Sequence, residues 1–485
     1  MGEGQYGRGS RVNKSIHLVV DLDGTLLRSD MLYESFWSAF SRDWRSPFLS
    51  LKALISGRAS LKRYLFHASD VDVATLPYNP EVIAFIQDCR KLGCETALVT
   101  ASDYNFAEKI ALHLGIFNEV HGSDGKLNLK GEHKGQLLEE RFGAKGFAYM
   151  GNDRDDLLVW KRAAKAITVN APVSLRLEAE KVCNSVEHLV TVSKSFKSYI
   201  KALRPLQWLK NVLVFLPMLA AHQLNGETFF LSLIAFICFS LFASSVYILN
   251  DLLDLAADRA HPRKKMRPFA SGSIPIVNGT LIAAGLLIFG VMLAISISPA
   301  FLFAMAAYYL LTTAYSLHLK RRIVIDICLL AGLYTSRIIA GSIATEIQLS
   351  VWLITFSVFF FLSLATVKRQ AELMDNAKNG KLKVSGRGYH VDDLPIISMI
   401  AIGAGYVSVL VMTLYMNSPV VVQLYTHAKA LWGVCAVLLY WITRTVMVAH
   451  RGQMHDDPVV YATRDRISQI CMLIILGFLL WAIIE

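Results

Sequence analysis

Two regimes of hydrophobic patterning divide this chain. Before about residue 205, short apolar runs alternate with segments of helical period, the pattern of a soluble α/β domain. Runs at residues 16–20, 95–99 and 147–150 have strand length, and each ends in polar residues. After about residue 210 the pattern becomes apolar stretches of roughly 17–25 residues, long enough to span a bilayer as helix. They fall near residues 209–224, 229–249, 280–298, 301–319, 323–344, 350–367, 395–415, 428–448 and 467–484. The pattern predicts nine transmembrane helices in an all-α bundle. Pro217 interrupts the first, and the sixth runs into Lys368. The expected organisation is a soluble domain at 14–192, a juxtamembrane linker helix at 193–208 and a membrane domain at 209–485.

Charge adds an orientation. The loops after the second, fourth, sixth and eighth stretches carry Arg259 to Arg267, Lys320 to Arg322, Lys368 to Arg387 and Arg444 to Arg466. The other loops carry only Lys429. Basic loops stay on the cytoplasmic side. This predicts a multi-pass protein of the inner, cytoplasmic membrane. Its soluble domain would be cytoplasmic and its C-terminus on the opposite side. The net charge of +11 is then mostly topogenic, and no nucleic acid is needed to explain it. The seven cysteines form no CxxC pair and fall in no outer loop, so buried, reduced thiols are expected. No secretory signal is recognisable, and the Gly-rich residues 1–9 read as a tail.

Polar groups in the soluble half sit at the ends of the strand-like runs, where open α/β sheets place ligands. Asp21 can attack phosphorus as a carboxylate nucleophile. Asp23, two residues on, points the same way and can act as acid and base. Thr100 and Lys134 can hold phosphoryl oxygens. Asn152 or Asp156 can complete a Mg²⁺ site with Asp21 and Asp23. The combination of DxDGT, a strand ending in Thr, a Lys, and GNDxxD resembles the haloacid dehalogenase-like phosphatase superfamily. That resemblance implies a doubly wound sheet, with the helix-rich residues 30–80 inserted as a cap after the first strand. The last motif more often opens with Asp, where this chain has Asn152. Whether Asn152 or Asp153 assists Asp156 stays open.

In the membrane half, Asn250, Asp251, Asp254 and Asp258 close the second apolar stretch. Their spacing puts the three acids on one face of a helix. Carboxylates at membrane depth are expensive to keep without a task. Three acids on one face repel unless a cation neutralises them, and hard oxygen ligands suit Mg²⁺ on a diphosphate. The bases that follow, Lys264 and Arg267 among them, suit phosphate oxygens. Lys210, Tyr315, Lys320, Lys368 and Arg369 are further candidate phosphate binders on the same membrane face. Arg337, inside an apolar stretch, needs an anionic partner, either a carboxylate or a bound phosphate.

These motifs resemble the UbiA-type intramembrane prenyltransferase superfamily. A closer resemblance is carried by LRPxQWxKN, NDxxDxxxDxxHPxKxxRP, YSxxLK, KRxAEL and DPVVYATRDR. That set is similar to the decaprenyl-phosphate phosphoribosyltransferase branch. It implies phosphoribosyl diphosphate as donor, a polyprenyl phosphate as acceptor and Mg²⁺ in both domains. Superfamily members commonly carry a second Asp-rich motif after the sixth helix. Here Lys368, Arg369, Glu372 and Asp375 stand there, and extra substrate phosphates would account for the cations. The fused halves then suggest transfer of 5-phosphoribose to the lipid, followed by hydrolysis of its 5-phosphate. A prenyltransferase acting on a small or aromatic acceptor, and a transporter with a regulatory domain, are the alternatives. The sequence leaves an oligomer open.

Overall fold

The computed structural model describes residues 16–124, 128–191, 196–382, 387–418, 421, 424–454 and 457–483. Residues 1–9 lie outside that set. The chain divides into two compact units. One comprises Met1–Leu203 with Ile248–Ile282, the other Arg204–Tyr247 with Ala283–Glu485. The first unit therefore takes in the loop that carries the acidic run.

The N-terminal part of the first unit is built on a six-stranded parallel sheet. Its strands are β1 (His17–Val20), β2 (Thr96–Asp103), β3 (Glu119–Ser123), β4 (Phe147–Gly151), β5 (Lys165–Val169) and β6 (Val186–Leu189). The order is β3-β2-β1-β4-β5-β6, with Val19 paired to Ala97 and to Tyr149. Both faces are covered, so the strands read as unbroken apolar runs. Leu18, Val20 and Leu98 pack on one side, and Val19, Ala97 and Val99 on the other. The chain winds outward in opposite directions from β1 and β4. Their carboxyl ends form the switch point where such sheets bind ligands.

Three helices, Met31–Arg42, Ser46–Ile55 and Arg58–Ala68, follow β1 and form the expected cap, and a fourth, Pro80–Lys91, leads back into β2. Asp30 starts the first by accepting the Leu32 N–H at 2.7 Å. The linker helix is shorter than expected, Phe196–Leu203, and residues 192–195 lie outside the described set. It stops because Arg204 is left-handed, at φ 53°, and the next residue is Pro205.

Eight helices are long and apolar enough to cross a membrane. They are Gly226–Leu253, Ile276–Ile297, Pro299–Leu317, Ile325–Thr345, Val351–Lys378, Val391–Met416, Ala428–His450 and Arg466–Ile483. Each matches one of the expected stretches. The ninth, near 209–224, takes another form. It is a 3₁₀ segment, Pro205–Phe215, followed by the one-turn helix Leu216–Ala220. Pro217 has no N–H and fits only in a first helical turn, so no long helix runs through it. Of the seven cysteines six are buried as expected, while Cys328 is exposed. A thiol on a helix surrounded by lipid behaves as a small apolar group and needs no protein cover.

Candidate functional site

In the soluble domain the backbone N–H of Asp21 bonds Met150 O at 2.9 Å, which places its side chain at the β1–β4 switch point. Lys134 Nζ donates to Asp21 Oδ1 at 2.8 Å and to the Tyr149 hydroxyl at 2.9 Å. That hydroxyl donates to Asp156 Oδ1 at 2.9 Å. Asp156 Oδ2 accepts the N–H groups of Asn152 and Asp153, each at 2.9 Å. One connected network thus links four of the expected residues through Tyr149, which the sequence did not mark.

Asp23 is fixed separately. Its Oδ1 accepts the Met31 N–H at 2.7 Å, and its Oδ2 accepts Ser102 Oγ at 2.6 Å and Thr100 Oγ1 at 3.4 Å. Ser102 was missed, although it follows Thr100 by two residues and so falls on the same strand face. Thr100 contacts the acid here and is fully buried, with no exposed surface for a phosphoryl group.

Burial raises the Asp23 carboxyl to about 6, and neighbouring Asp30 adds to the rise. Burial likewise raises Asp156 to about 6. Asp21 is raised by burial while Lys134 opposes the rise. Burial opposes the charge on Lys134, but Asp21 and Asp156 more than offset it and hold the ammonium above its ordinary range. The site therefore pairs a lysine-held carboxylate with a second carboxyl that can carry a proton near neutral pH, the division of labour that acid–base chemistry needs.

Asn152 lies over Gly24. That glycine has φ 74°, and a Cβ built on it would stand 2.2 Å from Asn152 Nδ2. Thr25 Oγ1 donates to Asn152 Oδ1 at 3.0 Å. Asp153 is exposed instead, 3.7 Å from Lys130. Asn152 and not Asp153 adjoins the Asp21 loop. Asp21, Asn152 and Asp156 present a hard-oxygen donor set of the kind that suits Mg²⁺. Among the described residues no three His, Cys, Asp or Glu side chains already converge on a metal position.

The acidic run follows a different path from the expected one. The helix ends at Leu253, and Asp254, at φ −97° and ψ 13°, begins the short helix Leu255–Ala260. The three acids therefore do not share one uninterrupted helix. The bonds Asp254 N–H to Asn250 O (2.9 Å) and Asp258 N–H to Asp254 O (2.8 Å) persist across the kink. They keep Asp251 and Asp258 facing each other, both buried. Arg267 Nη1 donates to Asp251 Oδ1 at 3.0 Å and to Asp258 Oδ2 at 2.6 Å. The expected phosphate ligand thus neutralises the acids internally. Burial raises the Asp258 carboxyl, and Arg267 works against it. Lys264 is exposed on the 3₁₀ turn Lys264–Met266. The oxygens of Asn250, Asp251, Asp254 and Asp258 form a donor set that fits Mg²⁺ in kind.

In the second unit, Asp457 accepts Lys210 Nζ at 2.8 Å and Lys368 Nζ at 3.0 Å. The Tyr334 hydroxyl donates to it at 3.3 Å. Asp457 opens the DPVVYATRDR element, and nothing in the local pattern marks the convergence of two lysines far apart in the chain on it. A second group surrounds Asp326. The Tyr315 hydroxyl donates to Asp326 Oδ1 at 2.7 Å and Arg387 Nη1 at 3.0 Å, while Arg369 Nε lies 2.8 Å from Oδ2. Arg369 and Arg387 also pair with Glu372.

Arg369 is fully buried between two carboxylates. The expected phosphate ligand is thus paired with Asp326 and Glu372 in this structure. Tyr315 likewise spends its hydroxyl on Asp326. Lys320 sits half-buried on the short turn Leu319–Arg321. Arg337 has no carboxylate partner among the described residues. Asn211 Oδ1 (2.9 Å), the Tyr308 hydroxyl (3.3 Å) and the Leu333 carbonyl accept from it. The rings of Phe239, Tyr308 and Tyr334 surround the guanidinium at 5.1–5.6 Å. It is a buried cation held by neutral groups.

An acid run at the end of a membrane helix, with buried cations elsewhere in the helical unit and a carboxylate-based α/β domain, defines a multi-pass membrane enzyme with an attached hydrolase-like domain. Residues 211–483 match the UbiA prenyltransferase family, and residues 18–146 match the haloacid dehalogenase-like hydrolases. The chain belongs to the UbiA prenyltransferase family and carries an N-terminal haloacid dehalogenase-like domain. It is 35% identical over 464 residues to the uncharacterized protein y4nM of Sinorhizobium fredii, covering 94% of this chain and 89% of that one. It is 36% identical over 278 residues to nodulation protein NoeC of Azorhizobium caulinodans, covering 57% of this chain and 91% of that one. A decaprenyl-phosphate phosphoribosyltransferase of Mycolicibacterium smegmatis is 37% identical over 196 residues, 39% of this chain and 62% of that protein. A solved UbiA homologue from Archaeoglobus fulgidus, bound to DMAPP and Mg²⁺, is 17% identical over 60% of this chain and all of that one, with a TM-score of 0.45.

Proposed function

We propose that this enzyme transfers 5-phosphoribose from phosphoribosyl diphosphate to a polyprenyl phosphate, and that its soluble domain then hydrolyses the 5-phosphate of the lipid product. The observation that carries the first half is the convergence of Lys210 and Lys368 on Asp457. A site for a prenyl diphosphate alone needs acids after the sixth apolar stretch. Lys368 stands there instead and shares Asp457 with Lys210, and paired ammoniums suit a substrate set with additional phosphates. The similarity to a decaprenyl-phosphate phosphoribosyltransferase supports the same reading.

In this scheme Asn250, Asp251, Asp254 and Asp258 would hold Mg²⁺, which would neutralise charge on the leaving diphosphate. Arg267 would release the two acids and take up phosphate oxygens. Lys210, Lys264 and Lys368 would hold phosphates, and Arg337 would be a further cation for an anionic group. The lipid phosphate oxygen is already anionic and attacks the ribose C1 without a strong base. Catalysis is positioning plus charge neutralisation.

In the soluble domain the Asp21 carboxylate attacks the phosphorus of the 5-phosphate. Asp23 gives its proton to the leaving ribose oxygen, then takes one from the water that cleaves the Asp21 phosphoester. Lys134 keeps Asp21 ionised. Mg²⁺ held by Asp21, Asn152 and Asp156, with Asp23 adjoining, would neutralise phosphoryl oxygens. If the basic loops face the cytoplasm, both sites would lie on the cytoplasmic side of the inner membrane.

Purified protein in nanodiscs, given polyprenyl phosphate and Mg²⁺, tests the scheme. Product formation should require phosphoribosyl diphosphate, and Asp21→Asn should accumulate the 5-phosphorylated lipid. Transfer of a prenyl group from a prenyl diphosphate to a small acceptor, with no dependence on phosphoribosyl diphosphate, would replace this reading by the alternative.

A further inference from the structure

The cap of the soluble domain carries an apolar face that phosphatase chemistry does not use. On helix Ser46–Ile55, Phe48, Leu51 and Ile55 are 69%, 61% and 82% exposed. Their spacing places them on one face. Trp44, Leu49 and Leu54 flank them and are also exposed, while Ser46 and Ser50 point into the domain. Large side chains grouped this way on a water-facing domain mark a binding surface.

Two further observations name the occupant. The rim is basic: Arg45, Lys52, Arg58 and Arg63 are exposed around the face, and between residues 43 and 69 the only acid is Asp43. An apolar face edged by Lys and Arg is the pattern of a helix lying in an anionic membrane interface. The cap is also tied to a membrane helix within its own unit. Trp37 Nε1, on helix Met31–Arg42, donates to Thr280 Oγ1 at 3.1 Å, and Thr280 lies in the opening turns of Ile276–Ile297.

We propose that helix Ser46–Ile55 docks in the bilayer interface, its apolar face among the acyl-chain boundary and its bases on anionic headgroups. The next cap helix, Arg58–Ala68, carries Lys62, whose Nζ donates to Ala101 O and to Asn128 Oδ1 at 2.8 Å. Ala101 stands between Thr100 and Ser102, the two residues that hold Asp23. Lipid contact is therefore one helix away from the catalytic acid. The substrate class that follows is a phosphomonoester carried on a membrane lipid. That last step rests on the phosphatase reading given above, whereas the docking itself does not.

The test uses full-length protein in nanodiscs of phosphatidylcholine and phosphatidylglycerol with brominated acyl chains. A bimane label is placed at Leu51→Cys in a Cys328→Ser background. Quenching of this label is expected, with none at Leu112→Cys, an exposed position on helix Tyr104–Leu114. An unquenched label at Leu51→Cys overturns the docking, including the case in which a second copy of the chain covers the face. The triple variant Phe48→Glu/Leu51→Glu/Ile55→Glu should raise KM for a polyprenyl-linked phosphomonoester about tenfold or more, as loss of apolar burial requires. Its hydrolysis of water-soluble p-nitrophenyl phosphate should be unchanged. Equal loss on both substrates overturns the assigned substrate class. If the wild type hydrolyses neither, the phosphatase reading falls, and the Leu51→Cys quenching still decides the docking.

Discussion

Arg259 donates two hydrogen bonds to the carboxylate of Glu34, at 3.0 and 2.6 Å, and both side chains are buried. Arg259 Nε also reaches Ala270 O at 3.1 Å, and Ser29 Oγ donates to Glu34. Glu34 lies on the first cap helix and Arg259 follows Asp258 directly. The pair thus joins the phosphatase cap to the short helix that ends the acidic run.

Removing one partner of this pair strands a buried charge. Arg259→Met is expected to cost about 3–5 kcal/mol, while the double variant Glu34→Leu/Arg259→Leu should recover most of that loss. Thermal unfolding of the full-length protein in detergent reads the difference. Equal destabilisation by the single and double variants would show that shape, not charge, holds the contact.

Ser102 sets the proton affinity of Asp23. Burial and Asp30 push that carboxyl up to about 6, and the Ser102 hydroxyl works in the opposite direction by bonding the ionised form. Ser102→Ala removes the opposing donor, so the Asp23 value rises further. Departure of the alcohol requires the protonated acid. The alkaline limb of single-turnover phosphoenzyme formation should therefore move to higher pH. An unmoved or downward-shifted limb would deny Asp23 the role of general acid.

The patterning made the α/β domain, the cap and eight of the membrane helices legible, because strand and span lengths are set by local runs of apolar residues. It also marked Asp21, Asp23, Lys134 and Asp156. What it missed depends on contacts between distant segments. Lys210, Lys368 and Asp457 meet only because separate helices bring them together. The capture of Arg369 by Asp326 and Glu372 was hidden for the same reason. The kink at Asp254 escaped notice because an i, i+4 spacing survives a local break when the flanking hydrogen bonds persist.

Gly24 offers a geometric test of the Asn152 placement. Its φ of 74° disfavours any side chain, and an added Cβ would overlap the Asn152 amide. Gly24→Ala should cost about 1–3 kcal/mol of stability and lower the phosphatase kcat. Pairing it with Asn152→Ala removes the overlap but not the backbone strain, so stability should return only in part. Full additivity of the two changes would place Asn152 elsewhere.

Asp457 provides a test with a defined pH signature. Burial alone would raise its carboxyl, but Lys368 and Lys210 more than offset this and hold it well below the ordinary value of 3.8. A carboxyl depressed on folding stabilises the protein above its unfolded value, and that contribution fades as pH falls toward the folded value. Asp457→Asn keeps the shape and removes the charge, leaving two ammoniums without their common partner. At neutral pH the variant should lose about 3–5 kcal/mol, the scale expected when one member of a buried ion network is removed. The gap to wild type should stay constant down to about pH 4 and narrow progressively below it, because the unfolded wild-type chain then takes up a proton that the folded carboxyl still resists. Chemical unfolding in detergent across that range measures the gap. A gap that widens on acidification would mean that Lys210 and Lys368 do not depend on Asp457 for their neutralisation.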